Sequence, residues 1–176
     1  MQLQIRTTET DEVTALRPLF EDYLKTIYWS ENALSTFFLG LLESVSSKDI
    51  VRLMAQHTAN TRIHADRLEK IFESVGIPAE EKKSEPMESL IRESQNIIEQ
   101  TCAGPVRDAA IIALVQHITH CEIASYGTLK SFAITLKEEN VVRLLEKNLD
   151  DEKELDVNLS LVAEAYINDE AANKEI

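Results

Sequence analysis

The chain has 176 residues, a formal net charge of −13 and only 4 Gly and 4 Pro. This length fits one domain, and the acidic balance argues against nucleic acid or an anionic membrane as the main partner. Two cysteines, Cys102 and Cys121, are too few for a disulfide framework and indicate reduced thiols. The polar, acidic start does not resemble a signal peptide, and the apolar runs are too short to span a bilayer. The default expectation is a cytoplasmic protein.

Long stretches rich in Leu, Ala, Glu, Lys and Gln predict an all-α protein. In chain order, we expect four long helices with a short one after the second: about Leu16 to Val45, Asp49 to Val75, Met87 to Gln100 (short), Pro105 to Leu136 and Glu138 to Ile167. Ser46 and Ser47 are expected to break the first helix and cap the second. The linker of residues 77–104 is long enough to cross the bundle, which is typical of a ferritin-like four-helix bundle with a short crossover helix. We therefore divide the chain into an extension (1–13), a bundle domain (14–167) and a flexible tail (168–176).

The inward stripe of each long helix is apolar at both ends and polar in the middle. The polar positions are Glu31; His57, Asn60 and His64; Glu122 and Ser125; Glu152 and Asp156. Any one of them is best explained by a helix rotated so that the side chain reaches the bundle rim. Four interruptions at one height are harder to explain in this way, because carboxylates that converge in a dry core repel one another and lose solvation. Protonation, bound water or a cation must relieve them, and oxygen ligands with histidine suit one or two ions of Fe, Mn or Zn.

A weak internal repeat supports a shared site. Glu31 aligns with Glu122, and the pair Asn60 and His64 aligns with Glu152 and Asp156, each pair four residues apart on one helix face. Two tyrosines, Tyr28 and Tyr126, lie about one turn from the two aligned glutamates.

Several stretches resemble a known bacterial family. The strongest are MESLIRESQNIIEQ from Met87, VRDAAIIALVQHITHCEIASYGTLKSFA from Val106 and LLEKNLDDEKELDVNLSLVAE from Leu144; YWSENAL around Glu31 and HTANTRIHADRLEKIFE from His57 match more weakly. Together they resemble the YciE/YciF-like ferritin-like proteins, which are associated with stress responses. The resemblance implies a helical bundle, often dimeric, with a metal site like that of rubrerythrins.

The resemblance carries the family's site over to Glu31, Glu122, Glu152 and Asp156. Two departures remove negative charge, because family members usually have glutamate where this chain has Asn60 and Thr119. His64 stands where the family often has glutamine.

The predicted metal ligands are therefore Glu31, Asn60, His64, Glu122, Glu152 and Asp156. Four further residues are predicted to support them from outside the ligand set: His57, His120, Tyr28 and Tyr126.

Two functions of different classes follow from these residues. One is a metal-binding stress protein that handles iron, oxygen or peroxide, with a small-molecule oxidant as its partner. The other is a non-catalytic, dimeric helical bundle with a degraded metal site. A homodimer is expected in both cases, from the resemblance and from apolar residues outside the inward stripes, namely Phe37, Leu42 and Phe72.

Overall fold

The structure is a computed structural model that describes residues 14–173. The helices are α1 (Leu16–Leu41), α2 (Lys48–Val75), α3 (Glu85–Gln100), α4 (Pro105–Thr135), α5 (Glu139–Val162) and α6 (Asn168–Ala172). A 3-10 turn (Leu42–Ser44) follows α1, and a π-helical turn (Ala163–Ile167) joins α5 to α6. Strands are absent from the described part of the chain, and none of its helices is long and apolar enough to cross a membrane.

Local chemistry explains where these helices begin and end. Gly76 ends α2 with φ of 76°, a left-handed conformation that glycine adopts without steric cost. The hydroxyl of Ser84 accepts the backbone N–H of Met87 and so caps α3, as expected for serine at this position.

The start of α2 differs from the expectation that serine side chains cap it. Ser47 occupies the cap position, but its side chain makes no capping hydrogen bond. The backbone N–H groups of Ser46 and Ser47 instead donate to the two carboxylate oxygens of Asp108, each at 2.8 Å, and the Ser47 hydroxyl bonds to that of Tyr166. Asp108, a buried residue at the start of α4, therefore anchors the connection between α1 and α2 to the beginning of α4.

The four long helices form the bundle. Helix α1 packs on α2 and α4, helix α5 packs on α2 and α4, and α3 covers part of α4. The connection before α3 crosses α1, where the Lys82 N–H donates to the Lys25 carbonyl and the Lys82 ammonium pairs with Asp22. The prediction of an all-α bundle with four long helices and a short crossover helix is confirmed.

A layer of polar side chains divides the apolar core into two. One core lies around Leu34, Phe38 and Val115, and the other around Leu24, Leu68 and Leu129. Between them is a set of buried residues with polar groups, here called the polar layer: Glu31, His57, Thr61, His64, Thr119, Glu122, Tyr126, Asn148 and Glu152. The apolar–polar–apolar order of the sequence stripes is therefore a real layer in the bundle.

Three expectations about the ends and the surface stand as follows. Phe72, expected to remain on the surface, is buried in the core against Tyr28. The helical path continues through Asn168–Ala172, across the boundary drawn at residue 167, whereas the tail's flexibility stays a prediction. The extension, residues 1–13, lies outside the described residues.

Candidate metal centre

Each long helix delivers buried polar groups to the polar layer. Glu31 comes from α1, and His57 and His64 come from α2, seven residues apart and therefore on one helix face. Glu122 comes from α4 and Glu152 from α5. All five side chains are at most 2% exposed, so none of them is solvated by bulk water.

One half of the layer is internally satisfied. Glu31 accepts a hydrogen bond from the Tyr126 hydroxyl, and its Oε1 lies 3.2 Å from His64 Nδ1. The amide of Asn148 donates to the Tyr126 hydroxyl at 3.1 Å. Every polar side chain in this half therefore has a protein partner.

His64 links this half to the surface. Its Nε2 lies 3.2 Å from Asp151 Oδ2, and Arg67 donates to both Asp151 and Asn148. Burial alone would lower the pKa of His64, but the charges of Glu31 and Glu152 and the hydrogen bonds with Asp151 and Glu31 raise it to about 10. The hydrogen bond with His64, supported by Arg67, lowers the pKa of Asp151 to about 2. His64 is therefore an imidazolium between carboxylates at neutral pH.

The other half of the layer lacks protein partners. Both ring nitrogens of His57 and all four carboxylate oxygens of Glu122 and Glu152 are buried without a hydrogen bond. His57 Nδ1 lies 3.8 Å from Glu152 Oε1, and His64 Nδ1 is 3.4 Å from the same oxygen but is not aligned to donate to it. One potential ligand atom from each of His57, Glu122 and Glu152 lies within 4.8 Å of the other two. We call these three residues the orphan triad.

Burial sets the electrostatics of the orphan triad. It raises the pKa of Glu122 well above its usual value, and the charges of Glu152 and Glu31 add to the effect. Burial also raises the pKa of Glu152 to about 8, although the positive charge of His64 opposes the shift. Burial, reinforced by His64, lowers the pKa of His57 to about 3. In the absence of a cation, the triad therefore favours neutral forms of all three groups.

The triad fits a transition metal ion in its chemistry. A neutral imidazole and two carboxylates are the nitrogen and oxygen donors that iron, manganese and zinc accept. An unsatisfied buried polar group costs about 1–3 kcal/mol. A protonated Glu122 can reach Glu31 and Glu152, but both ring nitrogens of His57 would still lack a partner, so the site favours a ligand. A divalent ion would satisfy all three side chains and would compensate both negative charges.

Four of the sequence-predicted residues lie outside the polar layer. Asn60 is half-buried and accepts a hydrogen bond from Gln56. Asp156 accepts a hydrogen bond from Gln116 on α4 and lies 3.3 Å from the exposed His120. The Tyr28 hydroxyl donates to Glu69 at the surface. The structure does not bring these four residues into the polar layer, and their predicted roles as ligands or supporting residues stay predictions.

The position of Asn60 and Asp156 outside the polar layer depends on the phase of α2 and α5. A step of three residues turns a helix by about 300° and a step of four by about 400°, so an inward stripe can be drawn through either of two adjacent residues. In the structure, Thr61 rather than Asn60 is buried on α2, and Leu155 rather than Asp156 is buried on α5.

Other residues of the network were missed, or given a different part, at the level of sequence. Asn148 precedes Glu152 by four residues, a spacing that could have identified it. Asp151 and Arg67 lie near the rim, where periodicity gives no signal. His57, predicted to lie outside the ligand set, belongs to the orphan triad, and His64, a predicted ligand, lies beside Glu31 and Asp151. The ligand roles of Glu31, His64, Glu122 and Glu152 stay predictions.

Comparison with known proteins assigns a family. Residues 15–172 match DUF892, described as a domain of unknown function. The chain belongs to this family. It is 32% identical over 160 residues to the protein YciF of Escherichia coli K12, an alignment that covers 90% of this chain and 96% of YciF.

Solved structures agree with this assignment. The crystal structure of the E. coli stress protein YciF matches with a TM-score of 0.85 and 31% identity over 89% of this chain and 99% of that one. YcfI of Rhodopseudomonas palustris, described as a proposed structural protein, matches with a TM-score of 0.84 and 27% identity over 86% of this chain and 96% of that one. The resemblance to YciF-like proteins is therefore confirmed.

Proposed function

We propose that this chain is a ferritin-like metal-binding stress protein that holds one divalent transition metal ion in its bundle core. The orphan triad carries the proposal, because its imidazole and two carboxylates lie together without protein partners. Bundle-core metal sites are built in this way, from side chains on facing helices. The cytoplasm is the expected compartment, since Cys102 and Cys121 would stay reduced there.

The distribution of ligands favours one ion over two. Di-metal bundles use a carboxylate and a histidine three residues apart on each of two helices. Here α2 has His64 with Thr61 three residues before it, and α5 has Glu152 with Leu155 three residues after it. Each helix thus retains one residue of such a pair: the histidine on α2 and the carboxylate on α5. The α2 histidine, His64, is already hydrogen-bonded to Glu31 and Asp151.

The residues have distinct parts in the proposed site. His57, Glu122 and Glu152 would hold the ion, and a redox-active metal such as iron would supply electron transfer to or from oxygen or peroxide. Tyr126 holds Glu31 in place, while His64 and Asp151 place a positive and a negative charge beside the site. The two apolar cores exclude water above and below the layer.

The test is the metal content of protein purified without chelator, followed by titration of chelator-treated protein with Mn²⁺, Zn²⁺, Co²⁺ and anaerobic Fe²⁺. We expect one ion per chain for the wild type and loss of binding in Glu122→Gln, which keeps the shape of the side chain and removes its charge. The exposed Glu93→Gln gives the same chemical change on α3 and should bind like the wild type. Wild-type protein that binds none of these ions would refute the proposal.

The second candidate is a non-catalytic bundle with a relic site. The uncharged Thr61 and Thr119 in the polar layer favour it, as does the description of YcfI as a proposed structural protein. In that case Glu122 and Glu152 would both keep their protons in the core at neutral pH, and Glu122→Gln would raise stability with or without added metal. The titration above separates the two candidates, since only the first predicts stabilisation of the wild type by metal.

A further inference from the structure

A polar groove lies between α2 and α5, beside the polar layer. Its volume is about 410 Å³, and two leucines complete a lining that is otherwise polar. The polar lining residues are Gln56, His57, Asn60, Asp151, Glu154 and Asn158. The groove thus brings solvent to one side of the buried centre.

His57 belongs to both the groove and the orphan triad. It lines the groove, yet it is only 2% exposed, and its Nδ1 lies 3.8 Å from the Glu152 carboxylate. Neither of its ring nitrogens has a hydrogen-bond partner that would hold the ring in place. The His57 side chain therefore lies between the groove and the two glutamates of the triad, and a rotamer change away from its edge-on packing against Phe38 would open the groove towards them.

The chemistry of the groove suits a hydrated cation. Three side-chain amides, those of Gln56, Asn60 and Asn158, offer oxygen dipoles, and the lining includes no lysine or arginine. Asp151 is neutralised by Arg67 and His64, whereas Glu154 is exposed and forms no ion pair with any residue between 14 and 173. The groove therefore carries an uncompensated negative charge at its exposed side and the His57 imidazole at its buried side.

We propose that this groove is the port through which a hydrated divalent cation reaches the orphan triad, with Glu154 attracting the ion and His57 serving as the gate. The proposal rests on the proposed metal-binding function and adds its route. Asn60 and Asn158 would exchange contacts with water molecules of the ion as it passes. Asn60, expected from the sequence to be a ligand, is then a residue of the route.

The rate of metal binding tests the port without any assay of activity. The single tryptophan, Trp29, lies two residues before Glu31 and packs against the core around Leu34. Its fluorescence, quenched by paramagnetic Co²⁺, reports binding in a stopped-flow instrument. Release is measured by mixing the loaded protein with excess chelator, and the dissociation constant by equilibrium titration.

Two variants and one control separate the port from the centre. Asn60→Phe narrows the groove, and we expect association and dissociation to slow by the same factor, on the order of tenfold, with an unchanged dissociation constant. Glu154→Lys reverses the charge at the port and should slow association by about tenfold at low salt, with the difference shrinking as salt increases. The control Glu93→Lys changes the net charge equally on α3 and should leave the rates as in the wild type.

The outcomes are distinguishable. If wild-type protein binds no Co²⁺, the proposed function fails and the port fails with it. If wild-type protein binds Co²⁺ and both port variants bind and release it at wild-type rates, the centre stands and the port is refuted. A rise in the dissociation constant of Asn60→Phe without slower release would also refute the port, because it would make Asn60 part of the binding site. Circular dichroism verifies the fold of each variant, and the surface change Glu154→Lys keeps the test decisive if the bulkier Asn60→Phe does not fold.

Discussion

Replacing Glu152 with glutamine tests whether burial of the Glu152 carboxyl group destabilises the metal-free protein at neutral pH. Burial raises the pKa of Glu152 from an ordinary value of 4.5 to about 8. At pH 7 the unfolded chain has therefore lost a proton that the native state retains. Each pH unit of this difference corresponds to about 1.4 kcal/mol, so native Glu152 costs about 3 kcal/mol at pH 7 relative to an uncharged side chain of the same shape.

The direction of the pH dependence follows from the raised pKa. The stabilising, protonated state of Glu152 is fully present below pH 4.5, and its contribution is lost progressively as the pH rises towards 8. Glu152→Gln should therefore match the wild type near pH 4.5 and exceed its stability by about 3 kcal/mol at pH 7. For a chain of this size, this corresponds to a rise in Tm of roughly 6–12 °C.

The assay is thermal and urea unfolding in the presence of chelator at several pH values, with Glu93→Gln as the exposed control. Metal should reverse the order, because an ion at 1,000 times its dissociation constant stabilises the wild type by about 4.1 kcal/mol, more than the difference of about 3 kcal/mol, and the variant much less. A Glu152→Gln variant no more stable than the wild type at pH 7 in chelator would refute the idea that burial of the Glu152 carboxyl group destabilises the protein.

Three further expectations concern the hydrogen bonds of His64, the contact of Asp108 with the connection between α1 and α2, and the oligomeric state. The unfolding free energy of the metal-free wild type should fall between pH 6.5 and 10, by up to about 1.4 kcal/mol per pH unit, because native His64 keeps its proton up to a pKa of about 10. Denaturant titrations at several pH values should show a shallower fall for His64→Gln. An equal fall in the two proteins would contradict this role of His64. Asp108→Ala should lower the unfolding free energy by about 2–4 kcal/mol, since two backbone N–H groups lose a carboxylate acceptor, whereas urea unfolding of the exposed Asp150→Ala should resemble the wild type. Light scattering should give twice the chain mass of 19.9 kDa, and a mass near 19.9 kDa at micromolar concentration would rule out the dimer.

The long helices and their polar interruptions could be predicted because both depend on local periodicity. Buried leucines, isoleucines and phenylalanines recur at helical spacing on either side of Glu31 and Glu122. Each of these two glutamates lies in the middle of such a stripe, and both are buried in the polar layer. Periodicity thus fixes the height of the layer along the helices.

The rotation of α2 and α5 could not be predicted with the same accuracy. Both helices carry polar residues on several adjacent faces, so His57, Asn60 and His64 fit one stripe as well as another. Packing decides among these stripes: Phe38 contacts the His57 ring edge-on, with ring centroids 4.8 Å apart, and turns His57 towards the core. Such a contact between α1 and α2 leaves no trace in the spacing within either helix.

The network around His64 was out of reach for a similar reason. Asp151 and Arg67 are partly exposed, and their pairing joins α2 to α5 across the groove. The sequence shows two ordinary surface charges, and only the fold shows that they orient a buried imidazole. Which residues pair between different helices is therefore the main information that could not be predicted from the sequence.

The position of the polar layer between two apolar cores also has a consequence for how the chain selects its fold. A bundle of leucine-rich helices could slide by one turn and still bury most of its apolar surface. Here a slide of α1 by one turn would move Glu31 away from Tyr126 and His64 and would place it in the apolar core that contains Leu34. Because an unpaired buried charge is far more costly than an imperfect apolar contact, the polar layer fixes the register of all four long helices against one another. A triple replacement of Glu31, Glu122 and Glu152 by leucine should accordingly yield a more stable protein with several helix registers, visible as broadened or multiplied NMR signals.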